Sequence, residues 1–148
     1  NNLLNKMKAF NQYIYKLRSS GLRSTKQRLM ISRLLFGQKE TFHFTINQLS
    51  KLIKKKLNKT VSLATIYNTV NAFKKKGYLK EIPLEGNKTY FDTNTSSHHH
   101  FYDEDTEKLI DIDNKEIYVN KVPASPSGKS IKSVEVMVRI ASDNHNQK

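Results

Sequence analysis

The sequence predicts an α+β protein, a helical N-terminal part closing on a β-hairpin and a smaller strand-rich part after it. Three observations carry this. Up to Gly77, apolar residues recur at spacings of three and four in four successive stretches; beyond it the period falls to two. The charge divides the same way: residues 1–91 hold 19 basic and 3 acidic side chains, residues 92–148 hold 7 and 10. A polar run at residues 92–97, free of apolar residues, lies between the two parts.

The 148 residues allow one medium domain or two small ones. The formal net charge of +13 is concentrated before residue 92, so the N-terminal part suits a polyanion, either nucleic acid or an anionic membrane surface. No apolar run is long enough to span a bilayer, and no charged-then-apolar leader opens the sequence. A cytoplasmic location is therefore the expectation. The first residue is Asn1 rather than Met, so the completeness of the N-terminus stays open. The absence of cysteine excludes disulfides and thiolate zinc sites, leaving His, Asp, Glu or backbone oxygen for any metal.

Leu3, Met7, Phe10, Ile14 and Leu17 mark a first amphipathic helix that ends near Gly21. Ser24 and Gln27 have capping-box spacing ahead of Met30, Ile31, Leu34 and Leu35, and Gly37 closes this second helix. Thr45 and Gln48 repeat the signature ahead of Leu49, Leu52 and Ile53, a third helix ending in Lys54–Lys56. Ser62 caps a fourth, with Leu63, Ile66, Val70 and Phe73 on one stripe and Gly77 as terminator. Strands are expected at 78–82 and 88–92 around a turn at 83–87. In the second part, strands are expected at 98–103, 108–112 and 131–140, the last with Val134, Val136, Val138 and Ile140 on one face. Residues 114–121 read equally as short helix or strand, 123–128 as loop, and 142–148 as a disordered tail.

Two helices and a short turn, the second helix carrying small and amide side chains, form a helix-turn-helix pattern, and the hairpin after it reads as a wing. Ala64, Asn68 and Asn71 share one side of the fourth helix, with Thr65 and Tyr67 beside them. Asn pairs bidentately with adenine, and Ala or a Thr methyl contacts the thymine methyl. An ordinary surface helix with a polar face is the competing reading. Domains are thus expected at 1–92, a winged-helix DNA-binding domain, and 98–141, a small α/β dimerisation domain, with a hinge at 93–97. Some 45 residues are few for an independent core, and dimerisation would pool two such sheets.

His98, His99 and His100 form a run; on a strand the outer two point to one side. Two imidazoles at that spacing can share a metal ion, and Asp92 and Asp111 add carboxylates. A solvated polar strand end is the alternative. A His/carboxylate set without thiolate suits Zn, Mn or Fe.

Gly21-Leu-Arg-Ser-Thr-Lys-Gln-Arg28, Ser62-Leu-Ala-Thr-Ile-Tyr-Asn68, Gly86-Asn-Lys-Thr-Tyr-Phe-Asp92 and His98-His-His100 resemble, in order and spacing, the ferric uptake regulator (Fur) family over about residues 15–140. Asn68, the triple histidine, Leu109-Ile-Asp-Ile112 and Val134-Glu-Val-Met-Val-Arg139 are most similar to its iron response regulator branch. The resemblance implies a dimeric transcription regulator of iron and haem metabolism on AT-rich inverted-repeat DNA. It also implies roles. Tyr67 matches the recognition-helix tyrosine on thymine and sugar-phosphate, Arg23 and Arg28 match residues facing the DNA backbone, and Lys88 matches the wing lysine. His43, Asp92, His98, His100 and Asp111 match the regulatory metal site, and His98, His99 and His100 match the haem-binding run. Asp103 and Thr106 stand where the family's first zinc-binding cysteine pair falls, so the structural zinc is not expected. A second histidine-rich site fails as well, since Ser97 and Tyr118 take the places of its first histidine and its acid. Haem, if bound, would need imidazole ligands, because the cysteine-containing haem motif is missing.

The implied mechanism is an ion that takes ligands from both domains and fixes the spacing of two recognition helices, with haem releasing DNA. A ferrous-iron or peroxide sensor uses the same ligand set. A metal-dependent hydrolase and a haem or metal buffer without DNA binding are the readings from other classes. The hydrolase lacks a nucleophile or base arrangement and leaves the basic half unexplained.

Overall fold

The computed structural model describes residues 2–143; Asn1 and residues 144–148, including His145 and most of the expected tail, lie outside the described residues. The chain divides into two compact units, Asn1–Thr95 and Ser96–Lys148.

The first unit runs α1 (Asn2–Ser19), α2 (Lys26–Phe36), β1 (His43–Phe44), α3 (Ile46–Leu57), α4 (Leu63–Lys76), β2 (Lys80–Leu84) and β3 (Lys88–Asp92). The helix ends follow side-chain chemistry. Thr45 accepts from the Gln48 amide while the Gln48 side chain accepts from the Thr45 amide, a complete capping box on α3. Asn58 closes α3 in the left-handed region. Ser62 accepts from the Thr65 amide at 3.1 Å, and Gly77, at φ 90°, ends α4 where a side chain would be strained. The cap of α2 is Thr25 rather than Ser24: its hydroxyl accepts from the Arg28 amide at 3.3 Å, and Ser24 Oγ is buried with no hydrogen-bond partner.

Leu17, Ile31, Leu35, Leu49, Ile66 and Phe73 join one core across all four helices. The Phe36 and Phe73 rings meet edge-on at 5.1 Å, and the Lys16 ammonium lies 4.5 Å from the Tyr78 ring centroid. Only the C-terminal end of α1 enters this core. Leu3, Met7 and Phe10, placed by period on one face with Leu17, are exposed because the helix extends beyond what the unit can cover. Leu63 is a second departure: it is 51% exposed, and Thr69 takes a buried place instead, its hydroxyl donating to the Thr65 carbonyl at 2.7 Å.

The wing is a three-stranded antiparallel sheet in the order β1-β3-β2. Its hairpin turns at Gly86 and Asn87, both at positive φ. The first strand lies two residues later than the periodicity predicts, and it includes Pro83, opposite Thr89. An edge strand tolerates the missing amide proton, which a central strand would not.

The second unit is a sheet of β4 (His99–Asp103), β5 (Lys108–Ile112) and β6 (Met137–Ile140) in the order β5-β4-β6. β5 is antiparallel to β4 and β6 parallel to it. The described helical content here is a 3₁₀ turn, Asn114–Glu116, which resolves the ambiguity at 114–121 in part. The long strand expected from residue 131 shrinks to four residues. Ile131 and Val134 lie in irregular chain and are exposed, since the pairing with β4 is confined to Met137–Ile140. The hairpin tip is tied to the end of β6 by three contacts. The Glu104 amide donates to the Ile140 carbonyl at 2.8 Å, the Ser142 amide donates to Asp105 Oδ2 at 2.5 Å, and Arg139 lies 3.5 Å from Glu104.

Candidate metal centre and nucleic-acid interface

Cross-strand register places a histidine opposite an aspartate in each unit. In the first unit, β1 pairs with β3 so that His43 faces Asp92. Its Nε2 lies 3.1 Å from Asp92 Oδ2. Asp92 is fully buried, and its Oδ1 accepts from the Asn94 amide at 2.8 Å, which fixes the carboxylate plane. In the second unit, β4 pairs with β5 so that His100 faces Asp111. His98 and His100 both direct Nε2 at Asp111 Oδ1, each at 3.3 Å, with ring centroids 4.4 Å apart.

The protonation pattern of His98 decides what this second cluster needs. Its Nδ1 lies 2.7 Å from the Ser96 carbonyl, which can only accept, so Nδ1 carries the proton. In the neutral ring, Nε2 then presents a lone pair to a carboxylate oxygen. Two lone pairs facing each other require a cation between them or a proton on the ring. A backbone carbonyl holding the far nitrogen of a histidine is the usual outer shell of a metal ligand. The residues present therefore fit a divalent ion. His99 is turned elsewhere: its Nδ1 accepts from the Val136 amide at 2.8 Å, which anchors the chain entering β6. All three imidazoles of the run are buried.

The DNA-facing candidates all lie in the first unit. Ala64, Tyr67 and Asn68 are exposed along α4, Tyr67 to 52%. Thr65 is half-buried, and its hydroxyl accepts from Ser62 Oγ at 2.9 Å. Arg23 is exposed just before α2, and Arg28 Nη1 folds back to the Arg23 carbonyl at 3.4 Å. Lys88 opens β3, opposite Leu84. Of the lysine run that ends α4, Lys74 is committed to Glu81 at 2.7 Å. Sequence reasoning missed β1, a two-residue strand too short for any periodicity; the alternation of Phe42 and Phe44 around His43 was the available signal.

The Ferric uptake regulator family profile matches residues 19–139. This chain belongs to the ferric uptake regulator family. Members of the family are transcription regulators rather than enzymes. Two relatives are the peroxide-responsive repressors PerR of Staphylococcus epidermidis, 35% identical, and of Staphylococcus aureus strain Mu50, 33% identical, each over 99 residues. The match covers 67% of this chain but 64% and 65% of those proteins. Among solved structures, the Vibrio cholerae ferric uptake regulator is similar at TM-score 0.67, with 24% identity over 87% of this chain and 98% of that one. The Pseudomonas aeruginosa regulator with manganese gives 0.61, with 21% identity over 85% and 94%. At those identities the structures bear on the fold alone, and the fold they share is the winged helix followed by a small sheet domain.

A thiolate zinc site does not fit this chain, which has no cysteine. Asp103 and Thr106 bond to each other and to the turn between them. Asp103 Oδ1 accepts from the Asp105 and Thr106 amides at 3.0 and 3.3 Å. The Thr106 hydroxyl is the main influence holding the Asp103 carboxyl below its ordinary pKa; the two backbone amides and Lys108 add to it.

Proposed function

We propose that this chain is a metal-responsive transcription regulator that binds AT-rich inverted-repeat double-stranded DNA as a homodimer. A divalent ion, iron, manganese or zinc, held by His43, Asp92, His98, His100 and Asp111 sets its DNA affinity. The observation that carries this reading is the convergence of His98 and His100 Nε2 on one oxygen of Asp111, with the far nitrogen of His98 held by a carbonyl. The ion would supply the positive charge these lone pairs require. Arg23, Arg28, Ala64, Thr65, Tyr67, Asn68 and Lys88 would face the DNA. The homodimer is supported by an apolar rung, Phe101, Ile110 and Val138, across the second sheet; Ile110 is 49% exposed. A sheet face of that kind suits a second copy. A cytoplasmic location accompanies this reading; no helix among the described residues is long and apolar enough to cross a membrane.

The effector is the finer question. Two readings share the site, an iron- or haem-responsive regulator of the iron response type and a peroxide sensor. The peroxide reading is favoured by the relatives, which are peroxide-responsive repressors. The haem reading needs His98, His99 or His100 as axial ligand. All three are buried, and His99 already uses Nδ1, so haem entry would require parting the β4–β6 edge. Fluorescence anisotropy of a selected DNA duplex during anaerobic Mn(II) and Fe(II) titration tests the metal reading. Peroxide treatment of the Fe(II) form, followed by mass spectrometry, separates the effectors. A single added oxygen on a histidine peptide with loss of DNA binding supports the peroxide sensor. Release of DNA by haem, with a Soret band from imidazole ligation, supports the haem regulator.

A further inference from the structure

We propose that Leu63 is a specificity-determining residue of the DNA interface, reading the C5-methyl group of thymine in the major groove. This rests on the DNA-binding reading above and names a recognition element within it.

By period, Leu63 belongs with Ile66, Val70 and Phe73 in the core, and those three are fully buried. Leu63 is instead 51% exposed. The helix does not need it for closure. The apolar clamp across an N-terminus joins the residue before the cap to the fourth helical residue. Here those are Val61 and Ile66, both in the core cluster at 4% and 0% exposure. Leu63 is therefore a half-exposed large apolar side chain that belongs neither to the core cluster nor to the clamp at the helix start.

Its position is nevertheless fixed. It is the first residue of α4, directly after Ser62, whose hydroxyl holds the Thr65 amide and donates to the Thr65 hydroxyl. Tyr67, 52% exposed, lies one turn further along the same side, and Ala64 is exposed beside it. The N-terminal residues of a recognition helix are the ones that reach base edges in a helix-turn-helix protein. A face made of Leu63, Ala64 and Tyr67 offers no hydrogen bond from its aliphatic members. The apolar group on a base edge in the major groove is the thymine methyl. The excess of 19 basic over 3 acidic side chains in residues 1–91 is what would bring this face to a duplex.

The experiment is a double-mutant cycle across the interface. A preferred duplex is selected from a random pool with the Mn(II)-loaded protein, and each thymine is then replaced in turn by deoxyuridine, which removes the methyl alone. Wild-type protein should lose affinity by a factor of about four at one or two thymines, the scale of one buried methyl. Leu63→Ala should lose a similar factor on the thymine duplex, lose nothing more at those positions on the deoxyuridine duplex, and bind nonspecific DNA as before. Leu63→Met should keep most of the discrimination. Thermal unfolding of both variants checks that a half-exposed site has been changed without harm to the fold. Undiminished sensitivity of Leu63→Ala to every deoxyuridine, or equal loss on specific and nonspecific DNA, overturns the assignment to Leu63 alone. Failure of the wild-type protein to enrich any duplex overturns the DNA-binding reading and this inference with it.

Discussion

Asp92 is fully buried, yet both its oxygens are engaged, one by the Asn94 amide and one facing His43. A buried carboxylate persists when paired or coordinated. Asp92→Ala should therefore both weaken Mn(II) binding and lower thermal stability, whereas Asp111→Ala, at a carboxylate 42% exposed, should weaken Mn(II) binding with little change in melting temperature. Isothermal titration and calorimetry of the two variants separate the effects. Tyr67 belongs to the same scale. Its substitution by Ala should weaken binding to a selected duplex far more than to nonspecific DNA, since base contacts specify while phosphate contacts position. Equal loss on both, measured by anisotropy, would make Tyr67 a structural residue.

At the scale of elements, caps and turns decide where helices stop, and those were legible. Thr45 with Gln48, Ser62 and Gly77 act where their residue types predict. Thr45→Ala should cost about 1 kcal/mol of stability by denaturant unfolding. What periodicity could not deliver was the partner of each face. The apolar stripe of α1 is real, but Leu3, Met7 and Phe10 stay exposed outside the core. The alternation at 134–140 is real, but β4 pairs with only its last four residues. The candidate site divides the same way. Its residue types stood out as a histidine run and nearby acids. The pairings His43–Asp92 and His100–Asp111 depend on strand register, which a two-residue β1 does not announce. The hairpin tip of the second unit has its own consequence. Asp103, Glu104 and Asp105 hold the tip through polar contacts, and the chain has no cysteine to bind zinc, so the unit should keep its fold in the presence of a zinc chelator. Acid should act differently. A carboxyl held below its ordinary pKa in the folded state contributes stability above the unfolded value and loses it as pH falls through the folded one. Because the Asp103 carboxyl is lowered, the turn at 103–106 should lose stabilisation as pH drops below the ordinary aspartate range. Circular dichroism across that range, compared with Asp103→Asn, checks it.

For the molecule as a whole, charge and ligand chemistry have separate tasks. On the proposed reading, the lysines and arginines of residues 1–91 would attract DNA without sequence preference, so the logarithm of DNA affinity should fall steeply and linearly with the logarithm of salt. Lys88→Ala should lower that slope by about one if the wing contacts a phosphate. The metal would supply the control. An ion that strengthens DNA binding by a given factor is itself bound more tightly on DNA by the same factor. The central proposal is that His43, Asp92, His98, His100 and Asp111 serve a single ion, and a Mn(II) titration of the wild-type protein beside His43→Ala and Asp111→Ala tests it most directly. The account predicts one ion per chain, weakened by at least about tenfold in either variant, with the metal-dependent gain in DNA affinity lost in both. Two independent sites, or a His43→Ala protein that binds Mn(II) as tightly as the wild type, would contradict it.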